Sequence, residues 1–185
     1  MPPSPDDPRV YITQTHVINC ANPESLKSLP SPFVLGPFDH LVPTKVPIDL
    51  VFVYSKPTNV LLRPRFIPVP RLLQAMAILL DYYPHLTGRL KVDPRNGVRS
   101  ITNMGTGVNV VEAYSDIPDT QAMNPSLMPP WDADFDNETG IQRGPLLLIQ
   151  RTQFRCGTVA IGYRISHAVC GPEGCIQLYH DFCHI

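Results

Sequence analysis

His167 stands where a side chain can do chemistry: it follows an apolar run, Thr158 to Ser166, and a short turn containing glycine comes directly after it. A histidine at a strand's end can present its ring into a cleft while its backbone is held rigidly. Imidazole is also the side chain best suited to general-base work near neutral pH. Read without its neighbours, a lone histidine at such a place is more often structural than catalytic.

Other constellations carry less. Cys170, three residues after His167, has the chemistry of a nucleophile. Residues at that spacing need not meet, and free cysteine commonly packs as a small hydrophobe, so packing is the reading adopted. Cys175, His180 and His184 fall on one expected helix, with the histidines at i,i+4. That spacing suits zinc, but no fourth ligand or acidic partner accompanies it, and surface histidines are expected instead. Asp132, Asp134 and Asp136 open like a calcium loop, which then fails at Asn137 and Arg143, so a solvated acidic loop suffices. The GTG at 105–107 lacks the GxxxxGK pattern of a phosphate loop. No metal site is assigned, cofactor-binding residues stay unassigned, and His16, on an early strand near the expected cleft, receives no role.

The elements that must position His167 are readable from periodicity. Val10 to Ile18 alternates as a strand, and Ala21 to Thr44 reads as loop. Ile48 to Tyr54 is a near-continuous apolar run, as expected of a strand buried on both faces. Val69 to Tyr83 is a helix with Pro70 in its first turn, ended by Pro84. Leu86 to Val92, Val98 to Asn103 and Val108 to Ala113 are short strands, the first two joined by a turn at Asp93 to Gly97. Glu112 to Gln142 holds seven acids and no Lys or Arg, and predicts a long surface crossing. Leu146 to Phe154 and Thr158 to Ser166 form a hairpin, and a final helix starts at Pro172 with Cys175, Leu178, Tyr179 and Phe182 on one side.

Composition narrows the class. The 185 residues are 43% hydrophobic and 17% charged, with a mean hydropathy of -0.04, as for one globular domain. A net charge of -1 gives no reason to expect nucleic acid as partner. No apolar stretch is long enough for a membrane span and the N-terminus lacks a signal peptide, so no membrane association and a cytoplasmic location are expected. The five cysteines (20, 156, 170, 175 and 183) then read as reduced and mostly buried thiols. Of 22 prolines, 14 lie in the first 70 residues, so short strands and ordered loops should dominate there. A flexible tail is expected over residues 1–8 and one domain over 9–185.

Four segments together resemble the BAHD acyltransferases, plant and fungal enzymes related to chloramphenicol acetyltransferase. PLLLIQRTQFRCGTVAIGYRISHAVC resembles the stretch before that family's active-site histidine. LGPFDHLVP (Leu35 to Pro43) is similar to its early SPLD segment, DYYPHLTGRL (Asp81 to Leu90) to its YYP-x-x-GR motif, and GVNVVEAYSDI (Gly107 to Ile117) to the strand that follows. The resemblance implies an α+β fold, a mixed β-sheet flanked by helices, forming one half of the two-domain chloramphenicol-acetyltransferase-like architecture. It implies acyl transfer from acyl-CoA, as co-substrate rather than bound cofactor, to a hydroxyl or amine of a small metabolite. His167 would be the general base that deprotonates the acceptor, with direct transfer and no acyl-enzyme.

Two departures follow from the same resemblance. The family motif is HxxxD, and Gly171 occupies the aspartate's position. In relatives that aspartate is mainly structural, so its loss should loosen the loop more than remove the base. Glu173 is two residues on and should face elsewhere, because a helix turns about 100° per residue. The family's DFGWG motif, from the second half, does not occur, so the chain is expected to be an N-terminal domain truncated after the histidine helix. The rival expectation is a non-catalytic remnant or a half-protein that needs a partner supplying the second half. A condensation-type domain with carrier-bound thioesters ranks last, since Ser166 stands where that motif has a histidine.

Overall fold

The computed structural model describes residues 10–61, 66–116 and 125–185; the expected tail over 1–8 lies outside them. The strands are β1 (Val10–Ile18), β2 (Phe33–Val34), β3 (Pro47–Tyr54), β4 (Arg89–Val92), β5 (Arg99–Thr102), β6 (Val108–Ser115), β7 (Leu147–Phe154) and β8 (Val159–Ser166). The helices are α1 (Val69–Tyr82) and α2 (Pro172–His184). A five-stranded mixed sheet runs β1-β6-β7-β8-β3, in which only β6 and β7 are parallel, and a three-stranded sheet runs β2-β5-β4.

The main core lies between one face of the large sheet and the two helices. Leu72, Met76, Leu79 and Leu80 of α1 and Cys175 and Leu178 of α2 meet Val110, Ile149, Ile161, Tyr163 and Ile165 of the strands. Each fully buried large side chain here contributes roughly 1.5–3 kcal/mol of transfer free energy. The other face is covered by the segment 125–130, which opens in a single 3-10 turn at Pro125–Leu127. Gly162 of β8 lets the Leu127 carbonyl approach so closely that a Cβ there would sit 2.2 Å from it. Gln150 Nε2 donates to the Ser126 carbonyl at 2.8 Å, and Arg164 Nη1 to that of Pro129 at 2.7 Å.

Several expectations need correction. The apolar run of β3 is an edge strand, with none of its residues fully buried, because β8 flanks it on one side only. Its aromatic residue Phe52 is instead covered by α2, stacked on Tyr179 with centroids 3.8 Å apart. The segment expected to be loop before Thr44 contains helical turns at Pro23–Ser28 and Pro37–His40, and β2 pairs with β5. The strand expected from Leu86 starts only at Arg89, since Pro84–Thr87 closes as a helical turn. The acidic crossing is not wholly a surface feature: Leu127 and Gln142 are each 1% exposed. Cysteines are less buried than expected, with Cys175 alone fully buried, Cys20 and Cys170 half-buried, and Cys156 and Cys183 exposed.

Candidate active site

His167 leaves the end of β8 in a turn anchored by main-chain bonds on each side. Ser166 donates its N–H to the Leu146 carbonyl at 2.8 Å, Val169 to that of Ser166 at 3.1 Å, and His167 to that of Val46 at 3.3 Å. Ala168 seals the turn onto a second small core with Leu35, Leu90, Ile101 and Leu146. Arg164, three residues before His167, grips Asp49 of β3 with two bonds of 2.8 and 2.7 Å. A bidentate guanidinium–carboxylate pair of this kind fixes the register of two strands better than a single bond.

The ring is half-buried, and its Nδ1 is buried with no hydrogen-bond partner among the described residues. Among the described residues, the other buried side-chain polar atoms without a partner are Ser166 Oγ and the side-chain amide of Gln142. Ser166 bonds Leu146 through its backbone, and Gln142 donates its N–H to the Leu90 carbonyl at 2.8 Å. Both Leu146 and Leu90 pack on Ala168. Buried polar atoms usually find partners, and a group left without them marks a place where stability is not the sole requirement. Two of these groups, His167 Nδ1 and Ser166 Oγ, belong to the His167 turn itself.

Gly171 is the residue before the first turn of α2, with φ -83° and ψ 173°, a conformation open to any residue, and a Cβ added there meets nothing within 4 Å. The position would hold an aspartate in both space and backbone. Glu173 lies exposed in the first turn of α2 and does not occupy it. The helix itself is pinned by phenols: Tyr54 and Tyr179 share a hydroxyl hydrogen bond of 2.7 Å, and the Tyr83 hydroxyl donates to Asp181. An apolar cavity of about 310 Å³ between α1, α2 and β8, lined by Leu72, Ile161, Tyr163 and Phe182 among others, does not include His167.

The SPLD-like segment reaches the same turn. Asp39 accepts the Gly36 N–H at 2.9 Å, and Arg99 Nη1 donates to the carbonyls of Asp39 and Val42, each at 2.6 Å. Held in this way, the segment exposes Phe38 (81%) and Leu41 (80%), while its Leu35 packs in the small core that includes Ala168. In the YYP-like segment, Asp81 accepts from Asn22 N and Ser25 Oγ, and Arg89 Nη1 donates to the Gly88 and Gly107 carbonyls. Burial of His85 holds its imidazole below its ordinary pKa.

The lesser candidates separate. His16 pairs with Glu112 at 2.6 Å on edge strand β1, with β6 and β7 lying between it and β8. Cys175 faces the core while His180 and His184 are exposed, so the three do not converge. Asp134 pairs with Lys45 at 2.7 Å, which with the hydrogen bond itself lowers the carboxyl's pKa. Asp136 is lowered by N–H and hydroxyl bonds from Thr139, and Asp132 accepts the Asp134 N–H. The GTG segment is a turn: Gly107 has φ 96°, and a Cβ there would lie 2.7 Å from Val17 and 2.9 Å from the Ile18 carbonyl. Sequence reasoning did not foresee Val46 as an anchor, nor that Cys170 Sγ lies 3.3 Å from Cys175 Sγ. The i,i+5 cysteine spacing was the available signal for that pair.

Residues 9–185 match the Transferase family. Taxadien-5-alpha-ol O-acetyltransferase of Taxus chinensis is 32% identical over 120 residues, which is 60% of this chain and 26% of that protein. 13-hydroxylupanine O-tigloyltransferase of Lupinus albus is 32% identical over 124 residues, 64% of this chain and 27% of that one. The chain thus spans about a quarter of the length of these relatives. Vinorine synthase shares the fold with a TM-score of 0.65 at 21% identity, over 86% of this chain and 38% of its own. F. sporotrichioides TRI101, solved with coenzyme A and T-2, superposes with a TM-score of 0.55 at 14% identity, over 82% of this chain and 40% of that one. No helix among the described residues is long and apolar enough to cross a membrane. The architecture is α+β, one half of the chloramphenicol-acetyltransferase-like fold, and the chain belongs to the Transferase family, the BAHD acyltransferases.

Proposed function

We propose that this chain serves transfer of an acyl group from acyl-CoA to a hydroxyl or amine of a small metabolite, in the cytoplasm, with residues 9–185 as the N-terminal domain of the acyltransferase. The observation that carries the reading is the His167 turn: a histidine fixed through its backbone to Val46, with its ring left free of structural hydrogen bonds among the described residues. His167 acts as general base. It accepts the acceptor's proton as the alcohol or amine attacks the thioester carbonyl, the C–S bond breaks, and the proton passes to the departing thiolate to give free CoA. An alcohol is a poor nucleophile at neutral pH, so a base within hydrogen-bond reach contributes about 10²–10⁴-fold. The relatives' printed activities, O-acetyl and O-tigloyl transfer, are of this reaction class.

A second reading rests on Gly171 and on exposed Phe38 and Leu41. Without the motif carboxylate, and with these apolar side chains exposed, the chain would be a non-catalytic remnant or a half-protein that needs a partner supplying the second half. One experiment separates the two. CoA release from acetyl-CoA is followed with a panel of alcohols and amines, and the intact protein mass is read in parallel. Acceptor-dependent release with no acyl adduct supports direct transfer. Absence of release supports the half-protein, and an acyl adduct on Cys170 overturns the His167 mechanism.

A further inference from the structure

Cys170 and Cys175 are placed as a reacting pair. Cys175 Sγ donates to Cys170 Sγ at 3.3 Å, and Cys170 Sγ in turn donates to the Gly171 carbonyl at 3.4 Å. Both ends are held by backbone bonds: Cys175 donates its N–H to the Gly171 carbonyl at 3.0 Å, and the turn before Cys170 is closed by Val169 on Ser166. Gly174 makes the room, since a Cβ there would lie only 2.9 Å from Cys170 Sγ. Cys170 is half-buried at the margin of the main core, and Cys175 is buried within it. The remaining thiols are set differently: Cys20 donates to the Leu80 carbonyl, and Cys156 and Cys183 are exposed.

We propose that Cys170 and Cys175 form a dithiol modification site that a hydroperoxide closes to an intramolecular disulfide, fastening the turn that carries His167 to the first turn of α2. The site does not depend on acyl transfer. The contact between the two sulfurs raises the Cys170 pKa and lowers that of Cys175, so a thiolate formed in the pair keeps the other thiol beside it. The thiolate attacks a peroxide oxygen, the O–O bond breaks, and a sulfenic acid forms as water (or an alcohol) departs. The second sulfur attacks the sulfenic sulfur, the S–O bond breaks, the S–S bond forms, and a second water leaves with the remaining thiol proton. Two electrons pass from the two sulfurs to the peroxide.

The sequence supplies a clean assay. Glu173 separates the two cysteines, and no Lys or Arg follows Arg164, so trypsin with a Glu-specific protease yields 165–173 and 174–185. The full Cys183→Ser chain is treated with hydrogen peroxide, alkylated, digested and read by mass spectrometry. The expected result is a linked 165–173/174–185 species that reducing agent separates and that falls to background in Cys170→Ser or Cys175→Ser. The wild-type chain, with fragmentation spectra locating the bridge, gives the same reading should a variant fail to fold. Separate peptides bearing alkylated, sulfinic or sulfonic cysteines, or a bridge to Cys20 or Cys156, would overturn the proposal.

Discussion

The segments 81–90 and 166–173 both carry family-like motifs, yet they are built to opposite standards. In the first, Asp81 accepts two bonds, Thr87 Oγ1 donates to the Pro84 carbonyl, Arg89 bonds two carbonyls and Tyr83 reaches Asp181. A Cβ on Gly88 would lie 2.5 Å from Ile101 and 2.8 Å from the Thr102 carbonyl, so nothing larger fits. In the second, His167 Nδ1 and Ser166 Oγ lack partners among the described residues, and the space around Gly171 is empty. Satisfied groups and filled space are what stability selects; rigid backbone with unspent side-chain capacity is what a reacting site needs. The YYP-like segment is filled and satisfied, and the His167 turn is the segment to which we assign the proposed chemistry.

Substitutions can break this contrast, and the largest effect belongs to the filled segment. Leu90 is fully buried, so Leu90→Ala should cost about 2–5 kcal/mol in chemical denaturation. A loss below ~1 kcal/mol would mean the small core under the motif is not packed as described.

Tyr83 gives a smaller effect with a pH signature. Burial, and then the bond to Asp181, raise its phenol from 10.0 to about 12. The folded chain therefore keeps a proton that the unfolded chain releases, so this stabilisation is full below pH 10 and is lost as pH rises through about 12. The Asp181 carboxyl is lowered by the same bond, so its contribution is present above the ordinary carboxylate value of 3.8 and is lost as pH falls through the lowered one. Tyr83→Phe should flatten the stability slope between pH 10 and 12. A slope unchanged from wild type would remove Tyr83 as its source.

The smallest effect comes from the empty position. Gly171→Asp places a carboxylate at the N-cap of α2 without a clash and should stabilise by a few tenths to ~1 kcal/mol, read as a modest rise in melting temperature. Destabilisation there would show that the space is not free.

What the sequence disclosed, and what it hid, follows the range of the interactions. The β7–β8 hairpin was legible because two segments, each with a consecutive apolar stretch, flank a short turn containing Gly157, and α1 because its leucines and Met76 recur at helical spacing with prolines at both ends. His167 was legible as a strand-end histidine, and its motif pointed to Gly171. The apolar run of β3 misled because strand order is not written in a strand's own composition: the same residues that suit a central strand are here covered by a helix on one face. Contacts such as Tyr83 with Asp181, 98 residues apart, have no local signal. Nor does the acidic crossing declare that Leu127 and Gln142 turn inward.

The most direct test replaces His167 by alanine in the full native chain and measures acyl transfer and folding stability side by side. The expected result is a fall of about 10²–10⁴ in kcat/KM for CoA release, with stability changed by ~1 kcal/mol or less. Transfer at the wild-type rate, or a loss of activity that merely tracks unfolding, would contradict it.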